Sequence, residues 1–243
     1  MLECSKRFHN LPVQVYIERK GIFMKYRSVF DIIGPVMIGP SSSHTAGAAR
    51  IGRAARHLFG REPKYAHIHL YGSFAKTYKG HGTDVAIIGG LLDYETYDER
   101  ISTSLDTARA SGMKIRFHEE DAHTDHPNTA RVKIGDDDGE LELVGISIGG
   151  GKAEITELNG FELRLSGSHP AILLIHNDRY GAIASATTIL AKNEINIGRM
   201  EVSRKAQGEQ ALMVIEVDQN IGDSILNELE RADHITQVAK ISD

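Results

Sequence analysis

The sequence predicts an α+β chain in two parts, an N-terminal α/β domain and a C-terminal ferredoxin-like βαββαβ domain, and three observations carry that prediction. Helical and strand periodicities alternate along residues 45–148. Ser166-Gly167-Ser168-His169-Pro170 then interrupts all periodicity, and a residue before proline resists helix, so a domain boundary falls there. Beyond it the order is strand, helix, strand, strand, helix, strand. A length of 243 residues allows one large domain or two ordinary ones of about 100 to 150 residues each.

The elements follow in order. Residues 1–23 mix charged side chains and lack the long apolar segment of a signal peptide, so they read as a loose extension or a mis-set start ahead of Met24. Small and apolar residues at Ala48, Ile51, Ala55 and Leu58 predict a helix over 45–59. Residues 65–71 alternate Ala66, Ile68 and Leu70 against Tyr65, His67, His69 and Tyr71, the period of a half-buried strand with its histidines on one face. A helix is expected from Thr83 through Leu91, with Asp84 near its positive end, and another over 98–111. Strands are predicted at 113–117, 129–134 and 140–148, with Asp138-Gly139 and Asn159-Gly160 as turns needing positive φ. In the second domain, strands at 171–176, 195–204, 209–217 and 235–241 enclose helices at 181–192 and 222–231.

Charge and cysteine content exclude several function classes. With 28 basic and 33 acidic side chains the net charge is −5, so no basic footprint for nucleic acid is present. The longest uncharged stretch, 32–49, is rich in Gly, Pro and Ser, unlike a membrane span. Cys4 is the only cysteine, which suits a reducing, cytoplasmic setting. One thiolate cannot hold an iron-sulfur cluster, which needs about three or four.

Two loops concentrate reactive groups. Ser41, Ser42, Ser43, His44 and Thr45 stand just before a helix, where unpaired N–H groups and the helix dipole attract an anion such as a carboxylate. The alternative is that Ser43 or Thr45 only caps the helix. His81, between Gly80 and Gly82 and ahead of Thr83 and Asp84, reads as a histidine at a helix start that can act as base near neutral pH. A tight turn with an exposed His81 is the competing reading. His126-Pro127-Asn128 forms a constrained turn that can aim an imidazole and an amide into a cleft. His118, His123 and His126 have loop spacing only, a poor basis for a metal site. Gly149-Gly150-Gly151-Lys152 lacks the spacing of a phosphate loop.

Four ordered motifs then carry a resemblance running from about Met24 to the C-terminus: GPSSSHTAGAAR at 39–50, LYGSFAKTYKGHGTD at 70–84, HPNT at 126–129 and SIGGG at 147–151. Together they resemble the beta chain of iron-sulfur-dependent L-serine dehydratase, which deaminates L-serine to pyruvate and ammonia. The resemblance implies that a [4Fe-4S] cluster sits on three cysteines of an alpha chain, which agrees with the lone Cys4 here. It implies that Ser41, Ser42, Ser43, His44, Thr45, Gly82, Thr83 and Asn128 bind the substrate L-serine. It makes His81 the leading base, with His126 beside it as a second catalytic histidine. No metal ligand is expected in this chain. The N-terminal part, 24–166, also resembles the allosteric substrate-binding domain of some phosphoglycerate dehydrogenases. Residues 170–243 resemble an ACT domain, whose ligand loop would include Asn177, Asp178 and Gly181. Tyr180 stands where that loop usually has proline, which leaves effector binding open, and self-association through paired ACT sheets is the expected alternative. Two rivals to the dehydratase reading are a non-catalytic serine sensor and a free-standing hydrolase using His118, His123 and His126.

Overall fold

The computed structural model describes residues 36–166 and 169–241. Cys4, Met24 and the 1–23 extension lie outside the described residues. The first domain opens with a π-helical turn, Ser42–Ala46, that runs directly into α1, Gly47–Phe59. There follow β1 (Tyr65–Tyr71), α2 (Gly72–His81), α3 (Thr83–Leu91), a 3-10 turn (Glu99–Thr103) and α4 (Ser104–Ala110). Five strands complete it: β2 (Lys114–Glu120), β3 (Asn128–Gly135), β4 (Glu140–Gly149), β5 (Lys152–Leu158) and β6 (Phe161–Leu165).

These strands form one sheet in the order β2-β1-β3-β4-β5-β6, in which only the β1–β2 pair is parallel. The alternation in β1 fixes its orientation. Ala66, Ile68 and Leu70 are buried under the helices, while His67 and His69 lie on the opposite face. There His69 stacks on His118 at 4.4 Å and its Nδ1 lies 2.6 Å from Glu120 Oε1. These histidines are sheet-face residues, as their alternation predicts.

α1 and α3 meet through two glycines. A Cβ on Gly52 would fall 2.1 Å from the carbonyl oxygen of Ile87, and one on Gly90 would fall 2.1 Å from that of Ala49. Any side chain at either position would drive the helices apart. The close approach matters because the start of each helix carries one of the two reactive loops.

The second domain comprises β7 (Ala171–Asn177), α5 (Ala182–Lys192), β8 (Ile197–Arg204), β9 (Gln210–Val217), α6 (Asp223–Glu230) and β10 (Ile235–Ile241). Its sheet order, β10-β7-β9-β8, is antiparallel throughout and ferredoxin-like. The near-continuous apolar run of β7 has a physical reason: both of its faces are covered. Ile172 and Leu174 pack in the core that includes Ala186 and Leu190 of α5, while Ala171 and Leu173 join Leu212, Val214 and Ile241 in the core of the first domain. The two domains therefore share packed apolar surface.

Several expectations need correction. Residues 72–81 form a helix, so His81 ends α2 instead of starting a helix, and Gly82 is the left-handed cap (φ 67°) between α2 and α3. Phe74, fully buried, anchors that extra helix. Asn159 and Gly160 adopt positive φ as predicted (48° and 78°). Asp138 and Gly139 do not, because the Asp136 carboxylate turns the chain there by accepting from the N–H groups of both. The 98–111 helix is divided into a 3-10 turn and α4, and β8 begins at Ile197, two residues later than predicted. Gly149, Gly150 and Gly151 all have positive φ and form the tight connection from β4 to β5.

Candidate active site

The two reactive loops come together at the N-terminal ends of α1 and α3. Ser41 is the cap of the π-helical turn: its Oγ accepts from the His44 N–H at 3.2 Å. Neither Ser43 nor Thr45 performs that task. Ser43 Oγ lies 3.0 Å from His44 Nδ1, and Thr45 Oγ1 donates to the carbonyl oxygen of His81 at 3.0 Å. That last bond ties the first loop to the second across 36 residues.

His44 is the best-held side chain of the group. Its Nε2 lies 3.0 Å from Ser73 Oγ, its ring meets Phe74 edge-on at 5.3 Å, and it meets the His81 ring edge-on at 4.7 Å. Burial, and secondarily the neighbouring His81, push its pKa below the ordinary histidine value. That shift favours the neutral imidazole of His44 near pH 7. Asp84, half-buried at the start of α3, has its carboxyl pKa raised by burial, although its Oδ1 accepts from the Val85 N–H at 2.9 Å.

The 126–128 turn closes a third side. Pro127 O accepts from the Ser73 N–H at 2.6 Å, which docks the turn onto the start of α2. His126 Nδ1 accepts from the Asn128 N–H at 3.1 Å, and its carbonyl oxygen accepts from Thr124 and Thr129 hydroxyls. Asn128 Nδ2 donates to the Ser147 carbonyl oxygen at 3.5 Å. Ser147 in turn lies against Gly47, the first residue of α1.

Four buried side-chain atoms around this arrangement have no hydrogen-bond partner: His81 Nδ1, Thr83 Oγ1, Asn128 Oδ1 and Ser147 Oγ. Thr83 and Ser147 are fully buried. Leaving such an atom unpaired costs about 1–3 kcal/mol. A polar ligand that supplied the missing partners would offset that cost, and a small amino acid carries the needed ammonium, carboxylate and hydroxyl groups.

All the residues anticipated in the two loops and the His126 turn are thus in or beside one neighbourhood. Sequence reasoning missed Ser73 and Ser147 as site residues, although both lie inside the quoted motifs. His118 and His123 do not join His126: among the described residues no group of three or more His, Cys, Asp or Glu is arranged to hold a metal ion. The donor set of this chain, with Cys4 its only thiol, does not fit an iron-sulfur cluster.

In the second domain, Asn177 and Gly181 flank the predicted ligand loop. The Asn177 N–H donates to the His234 carbonyl oxygen, and the Asp178 carboxylate accepts from the Gly208 N–H at 2.9 Å and Arg204 Nη1 at 3.2 Å. Gly181 has φ 93° and precedes α5, and Tyr180 is fully exposed. An open cavity borders the loop, lined in part by Asn177, Arg179, Gly208 and His234.

Comparison with known proteins gives a consistent picture. Residues 28–157 match the family model described as serine dehydratase beta chain, and residues 171–234 match that of the ACT domain. The chain is 69% identical over 220 residues to a probable L-serine dehydratase beta chain of Bacillus subtilis (strain 168), covering 90% of this chain and 100% of that one. It is 35% identical over 200 residues to the L-serine dehydratase beta chain of Peptoniphilus asaccharolyticus, covering 82% of this chain and 90% of the relative. A D-3-phosphoglycerate dehydrogenase of Bacillus subtilis (strain 168) is 27% identical over 162 residues, which span 64% of this chain and 30% of that enzyme. Among the described residues no helix is long and apolar enough to cross a membrane.

Proposed function

The chain belongs to the serine dehydratase beta chain family, and on that premise we propose that it is the beta subunit of an L-serine ammonia-lyase, converting L-serine to pyruvate and ammonia only together with an alpha chain. The observation that carries the proposal is the set of four unpaired buried polar atoms around His44. In this reading a [4Fe-4S] cluster would be held by alpha-chain cysteines and would supply Lewis acidity toward the substrate hydroxyl.

The residues of this chain bind the substrate and move its proton. The N–H groups at the start of the Ser42–Ala46 turn and the hydroxyls of Ser41 and Ser43 face the substrate carboxylate, and Thr83, Asn128 and Ser147 hold its remaining polar groups. His81 takes the proton from the α-carbon on Nδ1, the ring nitrogen left without a partner. His44, neutral and held between Ser43 and Ser73, packs against the His81 ring and leaves room for its positive charge. His126, with Nδ1 engaged by Asn128, can offer only its other nitrogen to a proton relay. One observation favours a second assignment: His44 has the depressed pKa that suits a base kept deprotonated.

Hydrogen-deuterium exchange at the serine α-carbon separates the two. If His81 is the base, His81→Ala abolishes exchange while His44→Ala weakens it; the reverse order assigns the proton to His44. The similarity to part of a D-3-phosphoglycerate dehydrogenase favours a different class of function, a serine-sensing regulator without chemistry. That reading requires serine binding and no α-proton exchange in the presence of an alpha chain.

A further inference from the structure

Along α1, Arg50, Arg53, Ala54 and His57 follow one another at helical spacing. They line a cavity of about 300 Å³ whose opposite wall includes Ile155 of β5, Leu165 of β6 and Ile241 of β10, so it lies where the two domains meet. That volume suits a small organic ligand. The charges facing it are unequal. Arg53 is committed to Asp93 at 3.1 Å and Glu95 at 2.5 Å, and His57 Nε2 lies 2.8 Å from the same Asp93 oxygen. Arg50, exposed, has no ion pair or hydrogen bond among the described residues.

We propose that this interdomain cavity is a binding site for a small aliphatic carboxylate, held by the Arg50 guanidinium with its hydrocarbon body on Ala54, Ile155, Leu165 and Ile241. A guanidinium matches a carboxylate with two parallel hydrogen bonds. Glu95 in the lining disfavours a second negative charge, and the apolar wall selects a short hydrocarbon over a polyhydroxylated body. A ligand there touches α1, whose first residue follows the His44 turn, and β10, the last strand of the ACT domain. Occupancy therefore clamps the reactive loop and the C-terminal domain into one unit, a link that exists whether or not the chain takes part in serine deamination.

The test uses the full chain and isobutyrate, with isobutyramide as an uncharged analogue of the same shape. At about 100 times its dissociation constant, isobutyrate should raise the Tm by roughly 5–10 °C and slow amide exchange along residues 47–57. Isobutyramide should do neither. Arg50→Gln should abolish the response and Arg50→Lys should keep a weaker one. Ala54→Leu, which fills the cavity without touching a charge, should also abolish it, so a folding defect in one variant does not decide the matter. The proposal is overturned by no response in the unaltered chain, by an equal response to isobutyramide, or by a response that survives both Arg50→Gln and Ala54→Leu.

Discussion

Gly47→Ala tests how the reactive loop is held against the sheet. An added Cβ would stand 2.0 Å from Ser147 Oγ and 2.7 Å from Ser147 Cβ. The hydroxyl can rotate away, but Cβ is fixed to β4 near its C-terminal end, where Ser147 pairs with Ala153 of β5. Restoring ordinary contact of about 3.4 Å requires α1 and β4 to separate by roughly 0.7 Å. Overpacking of that kind costs about 1–3 kcal/mol, against roughly 1 kcal/mol gained from replacing Gly by Ala in a helix. The net loss, up to about 2 kcal/mol, should lower the Tm by up to roughly 4–8 °C. Displacement of the His44 turn should also reduce turnover of the assembled enzyme, up to about 100-fold for a 1 Å misplacement. Urea denaturation and a pyruvate assay read the two effects. Ser147→Gly in the same chain removes both close atoms and should recover part of the stability. A Gly47→Ala protein as stable and active as the parent would refute the packing role given to this contact.

Other expectations are as direct. On the proposed division of labour, His81→Ala should lower turnover by about 10²–10⁴ while leaving any cluster spectrum of the alpha chain intact. His44 has a folded pKa below its unfolded value, so its neutral form contributes stability that is fully present above pH 6.5 and lost as pH falls through the folded pKa. Acid unfolding titrations should show that component, and His44→Gln should lack it. Gly181→Ala forces a Cβ into a positive-φ position and should cost about 1–2 kcal/mol, measured by unfolding of the whole chain.

Much of the fold was legible because burial and period agree. β1 has the predicted ends, and its apolar alternation chose the face that the helices cover. The βαββαβ order of the second domain was readable from turn residues and apolar runs. α2 was hidden for a physical reason. Gly72 at its start and Gly80 near its end read as loop, while the interactions that hold it, Phe74 in the core and Pro127 O accepting from Ser73, are tertiary. Misplacing α2 put His81 at the wrong end of a helix. The site residues were found through their motifs, but not their partners. Ser73 meets His44 from 29 residues away, and Ser147 is a small polar residue inside an apolar strand whose unpaired hydroxyl has no signature in sequence.

Anaerobic co-expression with a cysteine-bearing alpha chain, followed by co-purification and a serine-to-pyruvate assay, tests the division of labour most directly. The two chains should purify together and form pyruvate, each should be inactive alone, and His81→Ala in this chain should lower the activity of the pair by about 10²–10⁴. Full serine deamination by the alpha chain without this one, or by a pair carrying His81→Ala, would contradict the assignment of substrate binding and proton removal to the beta chain.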